Sequence, residues 1–362
     1  STARPRPPRR LDNMDINTAW FVLVVTLLSG YALLDGFDLG VGILHPFADG
    51  DEERRSLMAS IAPVWDGNEV WLLTGGGALF AAFPNAYATL LSGFYLAIIL
   101  LLAALILRAL SLEFRSQRPE PAWRKAWDQT FAGSSLVAAL LLGTALGNIV
   151  RGVPIGPDGE FAGSFLGLLN PYGLLMGAFA CALFALHGAL YLGCKTDGRL
   201  QEKTRAWAKA CFAVFGVLLA MELAASLLFI PRIGELLRLH PAAAALPLLS
   251  ALAAADVRRE LGRGSPHRAL LALSASVVML ASFFAAALYP DILPSRPSPE
   301  NSLSVYNACS SPKTLKIMLV IALTGMPLVI GCQALVYRVF RGKVRLDASG
   351  YYFLIPFWMA SR

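Results

Sequence analysis

The run SGFYLAIILLLAALILR at residues 92–108 carries one charged side chain, Arg108, at its end. A helix needs about 20 mainly apolar residues to cross a bilayer, and this run with its flanking residues is long enough. Comparable runs recur along the chain and predict nine spans. These are 17–40, 57–83, 84–110, 130–150, 171–193, 207–231, 241–255, 268–289 and 314–338. The seventh is the shortest and contains Pro247.

The composition of the whole chain agrees with a membrane protein. Of 362 residues, 56% are hydrophobic and only 15% are charged, and the mean hydropathy is +0.57. Soluble globular proteins carry about 25% charged residues, so that class and long disordered chains are excluded. A β-barrel is disfavoured because its strands are ~10-residue alternating segments, whereas these runs are continuous. We therefore predict an all-α integral membrane protein of about nine transmembrane helices.

The basic residues lie between the apolar runs, so the net charge of +7 is better explained by membrane topology than by nucleic-acid binding. With the N-terminus outside, eighteen Lys and Arg fall on the cytoplasmic side. The outside loops carry six: Arg151, Arg232, Arg238, Arg296, Lys313 and Lys316. Only the four Arg within residues 1–13 disagree with this bias. This bias supports nine spans with the C-terminus in the cytoplasm. Residues 14–345 form the expected membrane domain. We expect residues 1–13 to be a non-native or flexible basic leader, and 346–362 to be a C-terminal tail.

Ionisable side chains within a membrane are costly and therefore mark candidate functional sites. Asp35 and Asp38 end the first run in LLDGFDLGVG and lie three residues apart, on one helix face. They fit either an interfacial cap with water nearby or a carboxylate pair at the mouth of a proton or cation path.

The second run contains a denser polar group in APVWDGNEVWLL. Asp66 and Glu69 are also three residues apart, Asn68 lies between them, and Trp65 and Trp71 flank them. Nine and twelve residues into the predicted span, both acids would lie deep. Two close carboxylates do not both ionise readily, which suits a proton relay. The alternative is a polar cluster that holds helices together.

Three other polar residues leave alternatives open. Arg108 either reaches the inner interface or pairs with one of these carboxylates. Glu222 is a lone acid in the sixth span, either a protonated packing residue or a relay member. His187 is a lone histidine in the fifth span, and with four His in the chain we expect no haem ligation by it. The five Cys are scattered, so no bound metal is expected, and no residue is predicted to be catalytic.

Several runs together resemble one known family. They are LLDGFDLGVG, SIAPVWDGNEVWLLTGGGALFAAFP (60–84), SGFYLAIILLLAALILR, GNIVRGVP (147–154), LLNPYGLL (168–175) and SLSVYNACSS (302–311). In order and over roughly residues 14–345, they are similar to subunit II of cytochrome bd-type quinol oxidases, including the cyanide-insensitive relatives.

The resemblance implies a subunit of a respiratory quinol:oxygen oxidoreductase in the bacterial inner membrane. It implies two four-helix bundles plus one peripheral helix. Haem b and haem d, or haem b alone, would be bound by subunit I, which carries the catalysis. Quinol, oxygen and membrane lipid are further expected partners, together with a structural quinone and a small single-span subunit in some relatives.

The resemblance also assigns roles to residues. Asp35, Asp38 and Asp66 correspond to part of a proton path, Trp71 lies near a proposed oxygen route, and Arg108 is a polar residue of the same bundle. Several relatives have His where this chain has Val64, which cannot carry a proton. Either Asp66 then works with water, or Glu69 contributes more. The competing hypothesis is a stand-alone proton- or cation-coupled transporter, although the two halves show no convincing inverted repeat.

Overall fold

The computed structural model describes residues 15–345, and almost all of this part is helical. The expected leader and the C-terminal tail lie outside the described residues.

The first half of the chain contains seven helices, which are separated at Pro and Gly residues. Pro63 lies in the break between α2 and α3, and Pro84 begins α4, because proline has no N–H to donate within a helix. The helices are α1 (Ile16–Leu44), α2 (Gly50–Ile61), α3 (Trp65–Ala82), α4 (Pro84–Gly93), α5 (Tyr95–Phe114), α6 (Pro121–Arg151) and the single turn α7 (Phe165–Leu168).

The second half adds six helices and one small hairpin. The helices are α8 (Pro171–Lys195), α9 (Gly198–Phe229), α10 (Pro231–Leu239), α11 (Ala245–Arg263), α12 (Pro266–Leu288) and α13 (Pro312–Val339). Strands β1 (Asp291–Leu293) and β2 (Leu303–Ser304) pair antiparallel between α12 and α13. This hairpin lies in the 290–313 segment that joins the last two spans.

Eight stretches of the described chain are long and apolar enough to cross a membrane. The shortest predicted span is longer than expected, since α11 with its preceding 3-10 turn covers Pro241–Arg263. Pro247 causes no break there because it lies in the first turn of α11, where its missing N–H is tolerated.

Helix α3 is not among these eight stretches, and the predicted limits of its span were wrong. The expected helix over 57–83 is divided, so that residues 57–61 belong to α2 and the spanning part begins at Trp65. Helix α3 has only 18 residues, and three polar side chains lie in its first two turns. The expected span 84–110 is likewise divided into α4 and α5.

The long helices form two groups of four. In the first, α1 packs on α3 and α6, and α5 packs on α6. In the second, α8 packs on α9 and α12, and α11 packs on α12 and α9. Helix α8 also contacts α1 and α6 and so joins the groups, while α13 lies outside against α1 and α3. This is the expected arrangement of two four-helix bundles and a peripheral helix.

Glycines permit the close contact between the bundles. A Cβ on Gly40 of α1 would lie 1.8 Å from the carbonyl oxygen of Phe184 in α8, and one on Gly188 would lie 2.4 Å from the carbonyl carbon of Gly40. Small residues allow helix backbones to approach in this way. The contact fixes the part of α1 that carries Asp35 and Asp38.

Candidate functional site

A buried polar network involves α1, α3 and α5 of the first bundle and the peripheral helix α13. Asp35 and Asp38 lie within α1, well before its end at Leu44, and both are fully buried. Both carboxyl groups are therefore enclosed by protein and do not cap the end of the helix. In α5 the fully buried guanidinium of Arg108 donates from Nη1 to Asp35 Oδ1 at 2.8 Å and from Nη2 to Glu69 Oε2 at 3.0 Å. Of the two alternatives for Arg108, pairing with carboxylates is the one observed.

Asn68 is the second branch point of this network. Its Nδ2 donates to Asp38 Oδ2 at 2.7 Å and to the carbonyl oxygen of Leu34 at 3.1 Å. Its Oδ1 accepts from Gln333 Nε2 at 2.7 Å and from Tyr337 Oη at 2.8 Å, both on α13. The amide thus links α1, α3 and α13. The sequence analysis did not identify Gln333 and Tyr337, because two ordinary polar residues near the end of a span do not show which side chains they contact.

Asp66 is placed differently from the prediction of a deep, buried acid. It lies in the first turn of α3 and is exposed on the surface of this chain, because the helix begins at Trp65 rather than near residue 57. Glu69, one turn further, is mostly buried, with 22% of its side chain exposed. The two acids therefore do not form one buried pair, and Glu69 joins the Asp35 side of the network instead.

The two tryptophans are partly buried. Trp65 packs against the hydrophobic core. The ring of Trp71 lies against Gly30 of α1, where a Cβ would come within 2.4 Å of ring carbon Cε3. Both side chains therefore help to seat α3 within the first bundle.

The charges of this network are not balanced. Three carboxyl groups surround one guanidinium, so full ionisation would leave net negative charge in the interior, at high cost. Asp35 Oδ2, Asp38 Oδ1 and the hydroxyl of Tyr31 are buried without a hydrogen-bond partner among the described residues. A protonated carboxyl oxygen relieves both the charge and part of the desolvation cost. The arrangement can therefore accept and release protons.

A second ionic cluster, missed from the sequence, lies just beyond the C-terminal end of α1. Asp128 of α6 accepts from Arg115 Nε at 2.5 Å and from Arg54 Nη1 at 3.2 Å, and its Oδ1 lies 3.3 Å from Nε2 of buried His45. Arg115 also donates to Asp51 at 2.9 Å. Partial burial alone would raise the pKa of Asp51, but this hydrogen bond and nearby guanidiniums hold that pKa below its usual value.

The remaining candidates lie apart from these groups. In α9 Glu222 is buried and accepts from Ser226 Oγ at 3.2 Å, and Ser226 Oγ lies 2.8 Å from Tyr172 Oη. His187 is buried with its ring edge-on to Phe37, the ring centroids 5.7 Å apart. Within residues 15–345 no group of three or more His, Cys, Asp or Glu side chains is arranged to hold a metal ion.

The fold and the network define a multi-spanning membrane protein with a buried polar core. The family model described as cytochrome bd terminal oxidase subunit II matches residues 16–340. The chain belongs to this family, which confirms the resemblance and supports an oxidase subunit over a stand-alone transporter.

Individual relatives agree with this assignment. The chain is 35% identical over 363 residues to cytochrome bd-I ubiquinol oxidase subunit 2 of Escherichia coli K12, covering 90% of this chain and 94% of that protein. It is 36% identical over 338 residues to cytochrome bd ubiquinol oxidase subunit 2 of Bacillus subtilis 168, covering 91% and 97%. The solved bd oxidase of Geobacillus thermodenitrificans has the same fold, with a TM-score of 0.73 at 19% identity, over 90% of this chain and 99% of that chain.

Proposed function

We propose that this chain, as subunit II of a bd-type oxidase, delivers protons through its buried carboxylates while subunit I oxidises quinol and reduces oxygen to water. One observation carries the proposal. Arg108 pairs with the carboxyl groups of Asp35 and Glu69, and the buried carboxyl group of Asp38 lies one helical turn from Asp35. Oxygen reduction consumes protons, and a dry interior needs protonatable side chains to conduct them.

The network offers two neighbouring arms for this transfer, whose carboxyl groups Asp35 and Asp38 lie one turn apart on α1. In one arm Arg108 links the carboxyl groups of Asp35 and Glu69. In the other, Asn68 holds Asp38 Oδ2 while leaving Asp38 Oδ1 without a partner in the described part. Arg108 and Asn68 each donate hydrogen bonds to one oxygen of the carboxyl groups that they contact. The carboxyl oxygens that receive no such bond are therefore the ones that exchange protons. Val64 takes no part, which leaves the exchange to the carboxyl groups and water.

We place the exposed Asp66 at the contact with subunit I. A charge that faces lipid in the membrane is costly, so a protein surface is the better neighbour. Further along α3, Gly76 and Gly77 have open space where a side chain would project, which suits a closely packed helix from another subunit. Asp66 would then pass protons between the subunits. In this arrangement Trp65 and Trp71 border the oxygen route or serve as packing.

The surroundings of the buried histidines of this chain do not fit haem ligation. His187 is enclosed beside Phe37, and His45 faces the carboxylate of Asp128 with guanidiniums around it. Neither position offers a second axial ligand among the described histidines. We therefore propose that subunit I binds the haems, b with d or b alone. Haem supplies the electron transfer and oxygen chemistry when bound there. The other partners would be quinol, a structural quinone, lipid and a small single-span subunit.

The location follows from the family and the charge bias. A multi-pass oxidase subunit belongs in the bacterial inner membrane. The excess of basic residues on one side favours a periplasmic N-terminus and a cytoplasmic C-terminus. In this orientation the Arg115–Asp128 cluster lies on the cytoplasmic side.

The test is the isosteric replacement Asp38→Asn in the complex with subunit I. Its amide oxygen keeps the bond from Asn68 but cannot hold a proton, so quinol oxidase turnover should fall by roughly tenfold or more while the complex still assembles. Asp66→Asn should slow turnover too, and Asp66→Glu should recover part of the rate. For each variant, oxygen consumption measures turnover, and a pH-indicator dye measures proton uptake.

A matched control is Glu222→Gln, which removes a buried carboxyl group from the second bundle. It should leave turnover near the parent rate. Full activity of assembled Asp38→Asn and Asp66→Asn complexes would mean that these carboxyl groups only hold helices together.

A further inference from the structure

A cavity of about 470 Å³ lies far from the buried network, at the end of α6. It is enclosed by the last turn of α6, the segment leading into α7, and the chain around residues 296–297. By the charge bias this is the periplasmic end. Helix α6 ends here and α8 begins at Pro171, so the cavity lies at the level where membrane meets water.

Two arginines line the cavity, Arg151 and Arg296. Arg151 is half-buried in the last turn of α6, and Arg296 is exposed. Within residues 15–345 neither forms an ion pair with a carboxylate. Arg232, on the same side, differs, because it donates to Asp291 at 2.7 Å.

Their position is unusual for membrane topology. The loops between the predicted spans carry only six basic residues on this side, and two of the six line one cavity. Basic residues are disfavoured in short external loops. Two guanidiniums without a carboxylate between them repel each other unless an anion joins them.

The chain segments that carry the two arginines are held together. Val153 N donates to the carbonyl oxygen of Pro294 at 3.0 Å, and Arg296 N donates to the carbonyl oxygen of Val153 at 2.9 Å. Asn301 Nδ2 donates to the carbonyl oxygen of Ile155 at 2.9 Å. The cavity walls are therefore preorganised, which lowers the entropic cost of binding.

The rest of the lining suits an amphipathic ligand. The hydroxyl of Ser164 accepts from Gly167 N and donates to no group within residues 15–345, so its proton can point to a ligand. Asn148 Nδ2 donates to the carbonyl oxygen of Leu168, and Asn148 Oδ1 accepts from Asn170 Nδ2, so this amide stabilises the cavity wall. Phe161 and Leu168 add apolar surface on which glycerol or acyl carbons could rest.

We propose that this cavity binds a phosphate-type anion through Arg151 and Arg296. Guanidinium groups match phosphate oxygens with paired, charge-assisted hydrogen bonds. The phosphate could belong to an anionic phospholipid of the outer leaflet or to free inorganic phosphate. Both sources present the same group to the arginines, and experiment separates them.

The test uses the purified, delipidated complex with subunit I, examined by native mass spectrometry. It is titrated separately with dioleoylphosphatidylglycerol, with dioleoylphosphatidylcholine and with inorganic phosphate. We expect one saturable site for phosphatidylglycerol, weakened about tenfold by Arg151→Gln or Arg296→Gln. Arg151→Lys should retain part of the affinity. Arg238→Gln, an exposed charge on the same side away from the cavity, is the control and should not change it.

The three probes separate the outcomes. Binding of phosphatidylglycerol without binding of inorganic phosphate identifies a lipid headgroup, whereas saturable, competing phosphate identifies a soluble anion. If Arg151→Gln does not assemble, Arg296→Gln decides, because its side chain makes none of the bonds that join the segments. Binding by Arg296→Gln equal to the parent, or no saturable site for either anion, would overturn the proposal.

Discussion

Replacing Arg108 by Met should destabilise the complex more than any other single charge removal in the first bundle. Arg108 and Asp35 are both fully buried, with 2.8 Å between Nη1 and Oδ1. Without the guanidinium, Asp35 keeps a buried negative charge or must take up a proton. Removing one partner of a buried ion pair costs about 3–5 kcal/mol. Glu69 also loses its partner, but it is partly exposed and should add less.

The predicted loss can be measured as a rate of inactivation. Membrane complexes usually unfold irreversibly, so a half-life at fixed temperature is the proper quantity. If the whole loss falls on the unfolding rate, dissociation should accelerate by about two to four powers of ten. Fluorescence-detected size-exclusion chromatography after heating reports the fraction that remains assembled.

Two companion variants isolate the cause. Arg259→Met breaks a pair with Asp256 in which the side chains are 62% and 42% exposed, and such a pair is worth about 0–1 kcal/mol. It should leave the half-life almost unchanged. Arg108→Met with Asp35→Asn removes both charges and should recover most of the loss. An Arg108→Met complex as long-lived as the parent would refute the reasoning, as would a double variant no better than the single one.

Three further predictions concern haem, packing and topology. His187→Gln should leave the reduced-minus-oxidised haem spectrum of the complex intact, and loss of a haem band would show that this histidine is a ligand. Gly40→Ala should cost about 1–3 kcal/mol or more by forcing its Cβ into the Phe184 carbonyl, whereas Gly216→Ala on α9, with open space, should cost little in melting experiments on the complex. A Cys introduced at exposed Ser116 should resist labelling by an impermeant maleimide added to intact cells from outside, and efficient labelling would reverse the predicted orientation.

Sequence reasoning was most reliable for the spans and least reliable for where they begin. Apolar runs of about 20 residues have few alternatives to a membrane helix, and this is why even the short span at 241–255 was correctly retained. The start of α3 was misplaced because residues 57–61 are apolar enough to extend the run. Pro63 is the local signal that could have divided it, and that shift moved Asp66 from the interior to the surface.

The sequence by itself determined that this is a multi-spanning helical protein, which family it belongs to, and which ionisable residues are worth attention. Hydropathy and motif order are local properties of the chain, so they can be read without a fold. Only the tertiary structure decided that Arg108 bridges Asp35 and Glu69 and that Asn68 receives two side chains from α13. The reason is physical: these partners are 39 to 269 residues apart. Helix packing brings them together, and no pattern within one helix specifies which neighbouring face it will contact.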